Sequence, residues 1–190
     1  MAHYVLAGGR SRRFGSDKAR HAIDGVPMVV RVAEAFAGRA SRTVVVAQRE
    51  GAYADLGLKT IADGVADRGP VAGLAAALGH ALAAPAGGGS AGWLLLTNAD
   101  LRWPRASVLD RLVAAAGSTS VAAVYGDGKR YLPFPGLYRV AAGSRADAER
   151  VLEGPRSSMQ ALLRGWGERV AVAAVDGDDR GLRDLDTPAG

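Results

Sequence analysis

The sequence predicts a three-layer α/β protein in which a doubly wound, mostly parallel sheet carries helices on both faces. Three observations lead there. Short apolar or β-branched runs alternate with stretches of helical spacing at least four times along the chain, the order that builds a parallel sheet through crossover helices. The strongest of these runs are apolar without interruption, as in strands covered on both faces. A composition of 48% hydrophobic and 23% charged residues is that of a folded globular chain, and 190 residues suit one domain, 1–190, with a substantial core.

In order along the chain, His3 to Ala7 reads as a buried first strand and runs into a loop rich in Gly and Arg. Ile23-Asp24-Gly25-Val26-Pro27 is a tight turn by its punctuation. Met28 to Ala40 carries Met28, Val32, Ala35 and Phe36 at helical spacing. Thr43 to Ala47 is a β-branched strand, followed by Gln48 at its C-terminal end, and Lys59 to Ala62 is a further short strand. Pro70 suits the first turn of a helix running to Ala84, with Leu74, Ala77, Leu78 and Leu82 as its inner stripe. Pro85 to Gly92 reads as a surface loop, and Trp93 to Thr97 as the central strand. Pro104 to Ala116 is helical and Val121 to Tyr125 is a strand. Gly126-Asp127-Gly128 then looks like a hairpin turn into Lys129 to Leu132. Helical patterns at Ala141 to Leu152 and Met159 to Leu163 precede a last strand, Arg169 to Val175.

The loop after the first strand carries Gly8, Gly9 and Gly15, which permit close backbone approach to a ligand. Its Arg10, Arg12, Arg13 and Lys18 outnumber its single acid, Asp17. Arg suits bidentate phosphate contact and Lys supplies a compact charge, so the loop is a candidate phosphate cradle, with a solvated turn as the alternative. Open α/β sheets bind ligands outside the C-terminal ends of their strands. Two acids end strands on that rim: Asp63 after the third and Asp100 after the fourth. Either could serve as a turn or cap acid. A rim carboxylate opposite a phosphate loop also meets the needs of Mg²⁺, which takes one or two carboxylates and completes its shell with phosphate and water. His3, His21 and His80 are not spaced as metal ligands and read as surface or packing residues.

Leu6 to Lys18 resembles the L-A-G-G-x-S-x-R-M-G-x-D-K signature of the molybdenum cofactor guanylyltransferases, compatible at twelve of thirteen positions counting the free x positions, with Phe14 in place of Met. Asp63 to Leu74 is similar to their D-x₅₋₇-G-P-L-A-G-L segment, and Thr97-Asn98-Ala99-Asp100 to their strand ending in a metal-binding Asp. Tyr131 to Tyr138 resembles a P-L-x-x-L-Y segment for which hydrophobic packing is the simpler account. Departures fall at Leu101-Arg102, where relatives carry x-P, and at Asp184 and Asp186, where they carry Asn.

The resemblance implies a Rossmann-like nucleotidyltransferase fold and transfer of GMP from GTP to the terminal phosphate of molybdopterin, with Mg²⁺ and release of pyrophosphate. By that likeness Leu6, Ala7, Gly8 and Gly9 line the nucleotide pocket, and Gln48 and Asp63 belong to it. Arg13 and Lys18 sit on the triphosphate, and Asp100 carries the metal. Transient contact with molybdoenzyme apoproteins or other cofactor-biosynthesis proteins would follow.

A net charge of +5 and a pI near 10.0 fit phosphorylated ligands or nucleic acid. No basic block alternates with aromatics, which argues against nucleic acid. Without cysteine, disulfides and thiolate chemistry are excluded. No apolar run approaches a membrane span and no secretory signal is apparent, so the expected location is cytoplasmic. Two alternatives remain open: a nucleotidyltransferase using CTP or another phosphorylated acceptor, and a non-catalytic GTP-binding protein that delivers cofactor.

Overall fold

The apolar runs marked as strands assemble into one seven-stranded sheet in the computed structural model, which describes residues 1–8, 17–65, 68–84 and 92–175. The centre of the glycine-arginine loop with Gly9 and Arg13, residues 85–91 of the expected surface loop Pro85 to Gly92, residues 66–67, and the C-terminal stretch with Asp184 and Asp186 lie outside the described residues.

The first strand, β1 (Ala2–Leu6), is followed by a small hairpin, β2 (Ala22–Ile23) and β3 (Val26–Pro27). Its turn, Asp24-Gly25, has φ of 53° and 79°, the mirror-image geometry that suits two-residue hairpins and that glycine adopts without strain. The remaining strands are β4 (Thr43–Ala47), β5 (Thr60–Ala62), β6 (Trp93–Asn98), β7 (Ala122–Gly126), β8 (Tyr131–Arg139) and β9 (Val170–Ala174). They lie in the order β5-β4-β1-β6-β8-β7-β9, so the leucine-rich β6 is central as expected. Within this sheet all pairings are parallel except those of β8, which runs against both β6 and β7.

Alternate residues of each strand feed two cores. Tyr4, Leu6, Val44, Val46, Leu94 and Leu96 pack under α2 (Pro70–Ala83), α4 (Ala142–Glu153) and α5 (Met159–Trp166). Val5, Val45, Ala47 and Leu95 pack under α1 (Met28–Ala35) and α3 (Ser107–Ala115). The three layers follow from this alternation along the pleat. Among the described residues no helix is long and apolar enough to cross a membrane.

Several boundaries differ from expectation. Helix α1 stops at Ala35, because Phe36 leaves helical geometry (φ −110°, ψ 1°) and Gly38 follows. Phe36 remains buried beneath the sheet. Leu82 does not belong to the inner stripe of α2: it is 41% exposed. The largest difference is β8, which extends to Arg139 where only Lys129 to Leu132 was expected. Pro133 and Pro135 argue against a strand. The ladder accommodates them in a bulge: Tyr125 pairs with Leu132 and Val124 with Gly136, leaving 133–135 unpaired with β7.

His3 is a packing histidine. It is fully buried, its Nε2 lies 2.9 Å from Thr97 Oγ1, and its ring meets Phe36 edge-on at 5.1 Å. Burial lowers its pKa from 6.5 to about 3. The unfolded chain therefore binds a proton near pH 6.5 that the folded chain refuses until about pH 3, and stability falls as pH drops through that window. Between pH 7.5 and pH 5 the loss from this group is about 2 kcal/mol. His80, whose pKa burial also lowers, adds in the same direction. Urea midpoints at the two pH values measure the loss, and His3→Gln is expected to flatten the dependence.

Candidate active site

The order β5-β4-β1-β6 places four chain segments side by side at the C-terminal edge of the sheet. Asp63 follows β5, Gln48 follows β4, Ala7 and Gly8 follow β1, and Ala99 and Asp100 follow β6. Backbone hydrogen bonds continue the ladder past the strand ends: Ala7 N to Val46 O (2.9 Å), Asp63 N to Ala47 O (2.8 Å) and Ala99 N to Leu6 O (2.9 Å). From β1 the chain winds outward through β4 and β5, then crosses back to lay β6 on the other side of β1. The crevice between β1 and β6 is thus the topological switch point, where open α/β sheets receive ligands.

A cleft of about 310 Å³ opens there, with Leu6, Ala7 and Gly8 on one wall and Asn98, Ala99 and Asp100 on the other. Gly69 and Pro70, the N-terminal end of the 14-residue α2, close a third side and turn its positive dipole end to the cleft. The roof comes from Asp17, Lys18 and Ala19, and Phe134 of the β8 bulge completes the lining.

Lys18 Nζ donates to Asp100 Oδ2 at 2.8 Å across this cleft, joining residues 82 positions apart. The other oxygen, Asp100 Oδ1, is buried and has no hydrogen-bond partner among the described residues. A buried carboxylate oxygen left bare is costly unless a ligand satisfies it. That atom, next to space for phosphate, fits a hard divalent cation. Among the described residues no group of three or more His, Asp or Glu converges to hold a metal, so a cation here would complete its shell with phosphate and water.

Of the sequence-predicted residues, Leu6, Ala7, Gly8, Lys18 and Asp100 meet in the cleft. Asp63 stands on the rim next to Gly8, where a Cβ would lie 3.3 Å from its Oδ2, without lining the cleft. Gln48 is exposed at the end of β4 and does not line it either. Phe134 and Tyr53 are the residues that sequence reasoning missed. Phe134 was hidden by its flanking prolines. Tyr53, in no motif, donates its hydroxyl to Asp17 Oδ2 at 2.7 Å.

The profile of the MobA-like NTP transferase domain matches residues 3–170 of this chain. A protein of Opitutus terrae named a probable molybdenum cofactor guanylyltransferase is 31% identical over 186 residues, covering 95% of this chain and 87% of its own length. One of the same name from Deinococcus radiodurans is 34% identical over 166 residues, covering 84% and 80%. The crystal structure of a protein from Aquifex aeolicus superposes with a TM-score of 0.77 at 21% identity, over 98% of this chain and 93% of that one, which shows the shared fold. With the profile spanning most of the chain and relatives above 30% identity along nearly its whole length, the chain belongs to the MobA-like NTP transferase family, a family of nucleotidyltransferases.

Proposed function

We propose that this chain is a single nucleotidyltransferase domain that transfers GMP from GTP to the terminal phosphate of molybdopterin, with Mg²⁺. The observation that carries the reading is the Lys18–Asp100 pair at 2.8 Å across the switch-point cleft, with Asp100 Oδ1 having no hydrogen-bond partner among the described residues. The relatives from Opitutus and Deinococcus, named probable molybdenum cofactor guanylyltransferases, support guanine as the base and the molybdenum cofactor as the acceptor side.

In this reaction an oxygen of the acceptor's terminal phosphate attacks the α-phosphorus of GTP, the bond to the β-phosphate oxygen breaks, and pyrophosphate leaves. Phosphoryl chemistry of this kind needs alignment and charge neutralisation more than a protein nucleophile. Leu6, Ala7 and Gly8 form the backbone wall for the nucleoside, and Gly9 is assigned to it by the sequence resemblance alone. Lys18 and Arg13 neutralise the triphosphate and the leaving pyrophosphate, and the end of α2 adds its dipole. Gln48 and Asp63, farther along the rim, recognise the base side. Asp100 would hold Mg²⁺, which when bound would supply charge neutralisation for the phosphates.

Pyrophosphate release with Mg²⁺, molybdopterin and either GTP or CTP tests the reading. GTP is expected to exceed CTP by at least about tenfold, with no release lacking molybdopterin or in excess EDTA. Equal use of CTP overturns the guanine assignment, and release with a sugar phosphate instead of molybdopterin overturns the acceptor. GTP binding without release for any acceptor overturns the transferase and leaves a delivery protein.

A further inference from the structure

Asp17 is the acid next to Lys18 in the chain and lines the same cleft, yet both of its oxygens are engaged elsewhere. Oδ1 accepts from Ala19 N at 3.1 Å and caps the 3-10 turn Lys18–Arg20. Oδ2 accepts from the Tyr53 hydroxyl at 2.7 Å. Tyr53 is 2% exposed, and its own backbone is anchored: its N donates to Thr60 Oγ1 at 3.2 Å and its carbonyl accepts from Leu58 N at 3.2 Å. Burial and the hydrogen bond to Asp17 both raise the tyrosine pKa, so it remains a donor.

The far end of the same turn is gripped from the same place. Arg20 lays its guanidinium fork on Asp55, 2.8 Å for each nitrogen, and reaches the Ala52 carbonyl at 2.7 Å. Its Cζ stands 5.0 Å above the Tyr53 ring. Residues 52–55 therefore clamp the turn on both sides of Lys18, the residue that meets Asp100. The pairing of Asp17 with Tyr53 also has an electrostatic consequence. A carboxylate adjacent to Lys18 and released from its donors would compete with Asp100 for the ammonium group.

We infer that Tyr53 is a positioning residue: by holding Asp17, its hydroxyl presents Lys18 to Asp100 and, on the proposed transferase reading, to the triphosphate. The phenolic oxygen acts through the turn and takes no part in bond making.

The test is a cycle of wild type, Tyr53→Phe, Lys18→Ala and the double variant, with two readouts. The first is kcat for pyrophosphate release. The second is the acetylation rate of Lys18 by peptide mass spectrometry, with Lys59 and Lys129, the other two lysines of the chain, as internal references. Tyr53→Phe is expected to lower kcat on the order of tenfold in the wild-type background and less than about twofold on Lys18→Ala, since the two act as a unit. It is expected to raise acetylation of Lys18 at least about threefold while Lys59 and Lys129 react as before. Equal kcat losses in both backgrounds, or unchanged Lys18 acetylation, overturn the inference. Where Lys18→Ala turnover is too slow to measure, acetylation decides. If Lys18 acetylation rises but the wild type transfers no nucleotide, Tyr53 keeps its role and the transferase reading falls.

Discussion

Asp100→Asn is expected to lower nucleotidyl transfer by at least about 100-fold while the protein stays folded. The substitution keeps the shape of the side chain but removes its charge. Lys18 then loses the carboxylate that it meets at 2.8 Å, and the proposed cation would lose the carboxylate whose second oxygen has no hydrogen-bond partner among the described residues. Neither effect reaches the cores, because Asp100 sits on the rim and not among the packed strand residues. Pyrophosphate release at saturating nucleotide, with a thermal melt on the same sample, separates the two outcomes. Loss of turnover with a melting midpoint within a few degrees of wild type supports a catalytic role. Retained turnover removes Asp100 from the chemistry.

Gly136→Ala is expected to destabilise the protein by about 2 kcal/mol, whereas Gly143→Ala is neutral or stabilising by up to about 1 kcal/mol. In β8 a Cβ at position 136 would lie 2.5 Å from the Pro133 carbonyl oxygen and 2.9 Å from Tyr138 Cε2. The missing side chain is what lets the buried Tyr138 ring fold back and donate its hydroxyl to that carbonyl at 2.8 Å, where the bulge has broken the ladder. A methyl there displaces backbone, not a flexible side-chain end. At Gly143, in the first turn of α4, nothing lies within 4 Å of an added Cβ, and alanine is the better helix former. Urea midpoints of the two variants give the opposite signs directly. Because 133–135 also brings Phe134 to the cleft, Gly136→Ala is expected to weaken nucleotide binding along with stability, which calorimetry with GTP would register.

The strands that were legible in the sequence are those whose burial shows in composition. Thr43 to Ala47 and Trp93 to Thr97 are apolar apart from one threonine each because both faces are covered by helices, and both appear within a residue of their expected bounds. The long β8 was not legible. Its prolines contradict a strand locally, and only pairing with β6 on one side and a bulge against β7 on the other makes nine residues extended there. The early end of α1 has the same character. The helical spacing continues through Phe36, but burial of that ring beneath β1 is achieved outside the helix.

For the site, the sequence by itself determined which groups exist and on which rim they stand: a glycine- and arginine-rich turn after β1, Lys18 within it, and the acids that end β5 and β6. Strand ends carry that information locally, because parallel strands all deliver their C-terminal residues to one edge. Which of those residues meet was decided by the tertiary structure. Strand order put Asp100 next to Gly8 and left Gln48 two strands from β6, beyond the cleft wall. The division of labour between two acids of similar appearance is also tertiary. Asp17 is held by Ala19 and Tyr53, while among the described residues Asp100 keeps one buried oxygen without a hydrogen-bond partner. The reason is physical: a carboxylate's availability depends on the donors that surround it in space, and the donor that claims Asp17 comes from 36 residues away.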